Sequence, residues 1–217
     1  MRSSIVPDLS EETALLACGY RRIAGVDEAG RGAWAGPVYA AAVVLPLERP
    51  DLARFLADVR DSKQLSPQRR EATYARIREI ALAVGVGRAE VAEIDAMGIR
   101  PATQLAMARA IGQLAGMVDA LLIDYVHLPD IPIPQRALPK ADARCLSVAA
   151  ASIIAKVERD RWMVEMDREY PGYGFARHKG YGSSLQHRQA LQQLGPSPIH
   201  RQTWRPVAFL MRHPKEV

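Results

Sequence analysis

Two short apolar runs in this chain end on carboxylates. Ile23-Ala24-Gly25-Val26 leads into Asp27-Glu28, and Leu121-Leu122-Ile123 leads into Asp124. Runs of this length and composition read as core strands, and a further acid, Asp142, stands just ahead of the longest helical pattern. Carboxylates at the ends of apolar strands sit at the edge of the core, where a partly buried cluster needs a cation. An all-oxygen donor set selects hard ions such as Mg²⁺ or Mn²⁺ over zinc. For any single acid, the plainer reading is that it turns outward at the start of a loop. Adjacent residues of a regular strand point to opposite faces, so Asp27 and Glu28 enter one site only if the strand ends or bulges there. The glycines that follow make such a break reasonable.

The rest of the chain supplies the partners such strands need. Val38 to Leu45 reads as a second strand stopped by Pro46, and the alternation of Leu82, Val84 and Val86 as a third. Ser66-Pro67 opens a capped helix to Ile80, and Ala102 to Ala115 and Leu146 to Tyr170 carry helical patterns. Four prolines, Pro129, Pro132, Pro134 and Pro139, surround a short edge strand. Strands and helices alternate after an initial hairpin-like pair, which makes this an α/β core with a helical C-terminal extension. At 217 residues, the length suits one domain of ordinary size, or one domain with a smaller appendage.

Charge divides the chain in two. Residues 1–169 carry 22 basic and 23 acidic side chains, whereas residues 170–217 carry seven basic ones and a single acid. A near-neutral core (1–169) with a basic C-terminal segment (170–217) suits a polyanion partner, and a solvated tail would show the same arithmetic. Cys18 and Cys145 form no CxxC pair, which argues against a disulfide scaffold and a Cys-rich zinc site. His178, His187 and His200 lack close metal-ligand spacing. The N-terminus lacks the apolar stretch of a signal peptide and no apolar run is long enough to span a bilayer, so a cytoplasmic monomer is expected.

Gly30-x-Gly32-x-x-Ala35 formally matches a dinucleotide-binding fingerprint, with Asp51 roughly 20 residues on. Pro37 and the strand-like run after it oppose the required helix, and two upstream acids would repel a pyrophosphate. Two readings stand: a backbone left open to a nucleic acid, with Arg31 near a phosphate, or a tight hairpin turn needing positive φ. Lys63, in Asp61-Ser62-Lys63-Gln64-Leu65-Ser66, is a candidate phosphate contact. Arg177, Lys179 and Tyr181, in Arg177-His178-Lys179-Gly180-Tyr181-Gly182-Ser183, combine cations, permissive glycines and an aromatic able to stack on a sugar or base.

Taken in order, these pieces resemble the ribonuclease HII family. They are Ile23 to Gly32 with Ala35-Gly36-Pro37-Val38, Asp61-Ser62-Lys63-x-Leu65, Lys140-x-Asp142, Ser147 to Val157 with Arg159-Asp160, His178 to Gly182, and His200-Arg201. The resemblance implies a ribonuclease H-like fold: a mixed five-stranded sheet flanked by helices, with a small helical C-terminal segment. It implies an endonuclease acting on the RNA strand of RNA–DNA hybrids and 5′ to single ribonucleotides embedded in DNA, with two divalent cations, Mg²⁺ or Mn²⁺. By position, Asp27, Glu28, Asp124 and Asp142 match the family's metal-binding acids. Gly30, Arg31 and Gly32 match its 2′-hydroxyl-sensing loop, and Tyr181 matches the tyrosine that reads the ribose–deoxyribose junction. Tyr125 and Ala141 stand where the family usually has glycine, Ala33-Trp34 replaces the commoner Pro-Leu, and Ser183 a common Thr. Two other classes compete: a DNA-specific nuclease built on the same acids, and a non-catalytic nucleic-acid-binding module.

Overall fold

The computed structural model describes residues 6–60, 62, 65–114 and 116–212. Its centre is a five-stranded sheet in the order β3-β2-β1-β4-β5. The strands are β1 (Ile23–Ala29), β2 (Val38–Val44), β3 (Ala83–Ala89), β4 (Ala120–Asp124) and β5 (Gln135–Leu138). The β1–β2 and β2–β3 pairs are antiparallel, while β1–β4 and β4–β5 are parallel. The sheet is therefore mixed and five-stranded, as the resemblance implied. The acid-ended runs are its two inner neighbours, and their burial on both faces explains why neither shows polar alternation.

Helices cover both faces. On one side α5 (Ile99–Gly112) lays Ala102, Ala106, Met107 and Ala110 onto Ala24, Val26, Ala40, Ala42, Leu121 and Ile123. On the other, α2 (Leu52–Phe55), α3 (Pro67–Ile80) and α6 (Leu146–Glu169) cover Ala41 and Val43 with Leu52, Ile77, Ala149, Ala150, Ile153 and Ile154. Contact between α6 and β1 is extremely close: a Cβ added at Gly25 would stand 2.1 Å from the Ser147 carbonyl carbon. Only glycine lets the helix backbone settle there.

Two helices have no clear mark in the sequence. In α1 (Ser10–Ala17) the buried residue is Glu12, whose Oε1 accepts from Ser147 N (2.9 Å) and Ser147 Oγ (2.7 Å). The N-cap residue of α6, Cys145, contributes no side-chain cap, so Glu12 satisfies this amide from 135 residues away. Because α1 docks through a carboxylate, it shows no strong apolar stripe. The other, α4 (Val91–Met97), is a seven-residue helix closed by a Glu90–Glu93 capping box.

Beyond α6, the chain forms α7 (Phe175–His178), α8 (Leu185–Leu194) and α9 (Arg205–Arg212). This segment bonds to the β1–β2 connection through Trp34 N to Gly180 O (2.8 Å), Gly36 N to Ile199 O (2.8 Å) and Arg201 N to Trp34 O (2.8 Å). No helix among the described residues is long and apolar enough to cross a membrane.

Among the described residues, the non-glycine positions with positive φ are Tyr125 (61°), Lys140 (56°) and Lys179 (53°). Tyr125 N reaches Leu138 O (3.1 Å) and Val126 N turns back to Asp124 O (2.7 Å), a three-residue turn directly after the acid. That geometry explains the family's usual glycine at this position. Ala141, the other departure, is fully buried and outside the left-handed region, so its methyl group is accommodated. The Tyr125 ring is 71% exposed and contributes little packing. Tyr125→Gly should therefore stabilise the fold by up to about 1 kcal/mol, a rise of ~2–4 °C in thermal melting. An unchanged or lower Tm would contradict strain at this turn.

Candidate active site

The register of β1 and β4 places the acids. Val26 pairs with Ile123, so Asp27 and Asp124 come next to one another at the carboxyl ends of adjacent parallel strands, on the α6 face. Ser152 of α6 hydrogen-bonds to Asp27, and Ser62 Oγ lies 3.0 Å from Ser152 Oγ, which ties the loop before α3 to this edge. Asp142 lies in a short 3-10 turn, Ala141–Ala143, brought close by a bond from Ala141 N to Asp124 Oδ1 (2.7 Å). The sequence allowed for a break in β1 at the acids, and none occurs. Pairing stays regular through Ala29 and Tyr39, so Glu28 points to the opposite face, where Oε1 meets Arg31 Nη1 at 3.1 Å. Regular pairing persists because the turn begins only at Gly30, after both acids.

Burial, then the charges of Glu28 and Asp124, pushes Asp27 well above the usual carboxylate range. A buried oxygen donor whose ionisation is opposed this strongly fits a hard divalent cation, which would restore the charged form. Among the described residues, no three His, Cys, Asp or Glu side chains are drawn together closely enough to enclose an ion as they stand. One oxygen of each of two acids is already engaged: Asp124 Oδ1 accepts from Ala141 N and Glu28 Oε1 from Arg31, and a carboxylate has further lone pairs for an ion.

The glycine loop is shaped by two fully buried arginines that the sequence reading left without a role. Arg159, on α6, donates to the carbonyls of Pro37 (3.0 Å), Ala35 (2.9 Å) and Lys179 (3.0 Å). Arg201 donates to those of Gly36, Arg31 and Gly30. Neither forms an ion pair among the described residues, an unusual state for a buried cation. Both arginines lie inside motifs that carried the resemblance, yet nothing in sequence spacing marks an arginine as buried. The two readings of the loop are both satisfied in part. Gly30 (φ 95°) and Gly36 (φ 84°) serve the turn, while Gly32 has neither positive φ nor any atom within 4 Å of an added Cβ.

Tyr181 pairs with Ala33 of this loop by an isolated antiparallel bridge. The Arg159 guanidinium lies 5.3 Å from its ring centre and the Lys156 ammonium 5.4 Å, both within cation–π range. Ser152, Lys156 and Arg159 form one stripe of α6, so about two helical turns, ~10 Å, separate the Asp27 end from Tyr181. Next to Tyr181 opens a groove of 780 Å³ whose lining includes Arg70, Arg168, Arg177 and Lys179. The structure thus brings Arg177, Lys179 and Tyr181 to one groove and Gly30, Arg31 and Gly32 to its neighbouring loop. Lys63 lies outside the described residues. Trp34 packs over Gly182 and near His187, filling space behind the loop.

The three histidines that lacked metal spacing meet in space, and backbone partners fix their tautomers. Ser197 N–H donates to His200 Nδ1 (2.9 Å), so His200 carries its proton on Nε2 and donates to His187 Nε2 (3.1 Å). His187 then donates from Nδ1 to Tyr181 O (3.1 Å). His178 stacks on His187 at 4.4 Å, accepting from Gly180 N and donating to Tyr173 O. Burial and neighbouring imidazoles lower His187 to about 4 and His200 to about 3.

This cluster sets a pH dependence of stability. An imidazole depressed in the folded state gives its full stabilisation above the ordinary value of 6.5, and that stabilisation is lost as pH falls toward 4 and 3. Asp27 works in the opposite sense, since its raised value makes protonation on acidification favourable to the fold. The melting temperature should fall between pH 7 and pH 5, and more shallowly in His200→Gln, whose amide keeps one acceptor and one donor. Equal slopes in parent and variant would remove His200 as the cause.

The ribonuclease HII family model matches residues 24–207. A ribonuclease HII from Chloroflexus aggregans is 58% identical over 208 residues, covering 94% of this chain and 96% of that protein. Ribonuclease H2 from Pyrococcus horikoshii superposes with a TM-score of 0.73 at 27% identity, covering 90% of this chain and all of that one. The ribonuclease HII solved with PCNA from Archaeoglobus fulgidus gives 0.70 at 30% identity, covering 85% and 95%. With the acid-ended strands, the sheet order and the family match in agreement, the chain belongs to the ribonuclease HII family and is a ribonuclease H enzyme, an endonuclease for the RNA of RNA–DNA hybrids.

Proposed function

We propose that this enzyme also cuts on the 5′ side of single ribonucleotides embedded in duplex DNA, as a cytoplasmic monomer using two divalent cations, Mg²⁺ or Mn²⁺. Asp27, Asp124 and Asp142 would hold the ions from the α6 face, and Glu28, one residue from the end of β1 and close enough for its charge to act on Asp27, would reach them round the strand end. The observation that carries this reading is the buried Asp27 beside Asp124 at the carboxyl edge of two parallel strands, next to a loop whose Gly32 lies open to solvent. When bound, such ions supply an activated water and neutralise charge at the phosphate.

The chain's own residues do the rest. Gly30, Arg31 and Gly32 read the 2′-hydroxyl, the one group that separates the two sugars. A donor arranged for that hydroxyl is left unsatisfied by deoxyribose, which is how discrimination arises. Arg31 bridges the two tasks: it pairs with Glu28, and an incoming phosphate competes for the same guanidinium. Tyr181, its ring backed by Arg159 and Lys156, stacks at the junction. Lys63, Arg177 and Lys179 neutralise phosphates.

Cleavage mapping on matched duplexes with and without one ribonucleotide tests the reading. The wild-type enzyme should cut only the first, 5′ to the ribose, leaving a 3′-hydroxyl and a 5′-phosphate. Asp124→Asn should abolish cutting and retain binding; Mg²⁺-dependent cleavage surviving in that variant would sink the assignment of the acid. Equal cutting of both duplexes would point to a DNA nuclease, and salt-sensitive binding without turnover to a binding module. Arg177→Gln/Lys179→Gln should weaken hybrid binding several-fold and flatten its dependence on salt by up to two charges, with divalent-ion binding intact. An unchanged slope would return both residues to an ordinary solvated surface.

A further inference from the structure

Arg201 shapes the loop through its carbonyls. Its guanidinium is fully buried, with Nη2 donating to Gly30 O (2.6 Å) and Gly36 O (2.9 Å), Nη1 to Arg31 O (2.8 Å) and Nε to Gly36 O (3.0 Å). Across a trans peptide the C=O and the following N–H point in opposite directions, and no cis bond occurs among the described residues. Drawing the Gly30 and Arg31 carbonyls inward therefore turns the Arg31 and Gly32 N–H groups away from Arg201. Among the described residues, neither N–H has an acceptor within the chain. Gly32 is exposed, and its missing Cβ answers to no packing or φ requirement, so its amide is open to an approaching molecule.

We infer that Arg201 is a positioning residue for sugar discrimination: its planar fork holds the Arg31 and Gly32 amides outward as a preset pair of donors for a ribose 2′-hydroxyl oxygen and the neighbouring phosphate. The inference rests on the loop's sugar-reading role proposed above and adds what keeps the loop in register. A fork is needed because three carbonyls must be met in one plane, which a lysine ammonium on a flexible stem does not do. Burial and the nearby Arg159 pull Arg201 down to about 9, so it stays protonated at neutral pH and keeps all its donors. A cation met by carbonyls and the Trp204 ring, with no acid partner among the described residues, also leaves a positive field beneath the loop, where a phosphate would arrive.

Arg201→Lys separates positioning from bulk structure. Thermal melting reports folding, kcat/KM is measured on a duplex with one ribonucleotide, and Kd on the all-DNA duplex of the same sequence. The expected result is a loss of at least tenfold in kcat/KM, with all-DNA affinity within twofold of wild type. A folded variant with wild-type kcat/KM would overturn the inference, as would a parallel loss of both quantities. If the variant fails to fold, amide ¹⁵N–¹H spectra of the wild-type protein in EDTA decide. The Arg31 and Gly32 signals should shift on adding the ribonucleotide duplex and not the all-DNA duplex; signals that stay in place, or move equally with both, overturn it. A wild-type enzyme that cleaves both duplexes alike would instead refute the sugar-reading role itself.

Discussion

The closeness of α6 to β1 sets the geometry of everything else in the molecule. At Gly25 the helix backbone occupies the space where any side chain would stand, so the helix axis is held at one height above the central strand. From that seat one stripe of α6 delivers Ser152 to Asp27, Lys156 to the groove, and Arg159 to the glycine loop and the Tyr181 ring. A single helix thus measures the spacing between the acids and the aromatic. Shifting it would move the whole row together, which is why close packing suits a site whose parts must keep fixed separations.

Charge is arranged in layers around this helix. Carboxylates gather at the carboxyl edge of β1 and β4, and burial and mutual repulsion make at least Asp27 reluctant to ionise alone. Behind the neighbouring loop sit two guanidinium groups tied to carbonyls in place of acids. Each arrangement is costly by itself. Together they set an acidic edge beside a positive loop, the pairing that the proposed cations and a phosphate backbone would each require.

Much of this was legible in the residues. Apolar runs ending in acids located two of the three inner strands, because strands buried on both faces carry no polar alternation to confuse the pattern. Ser66-Pro67 marked the start of α3, and Ser66 Oγ does accept from Arg69 N. The basic loop and Tyr181 stood out by composition. What stayed hidden depended on partners far away in the chain. Helix α1 docks through buried Glu12, whose role exists only once Ser147 is beside it. Arg159, Arg201 and the histidine cluster look like ordinary polar surface residues until the fold encloses them. The continuity of β1 past Asp27 was misread for a related reason: the glycines that suggested a break begin just after the strand ends.

The glycine loop lies near the start of the chain, and Arg201, which bonds to its carbonyls, lies near the end, 171 residues beyond Gly30. During synthesis the acid-bearing strands and α6 are available to pair long before that guanidinium emerges, and contacts of such separation are late and entropically demanding to close. The glycine loop is therefore shaped after the acid-bearing edge. A chain caught before its last segment docks would hold its carboxylates on a formed sheet with the glycine turn still unshaped. Because the same segment brings Arg201, the histidine cluster and Tyr181, the glycine loop and the aromatic beside it take their shape in one docking step.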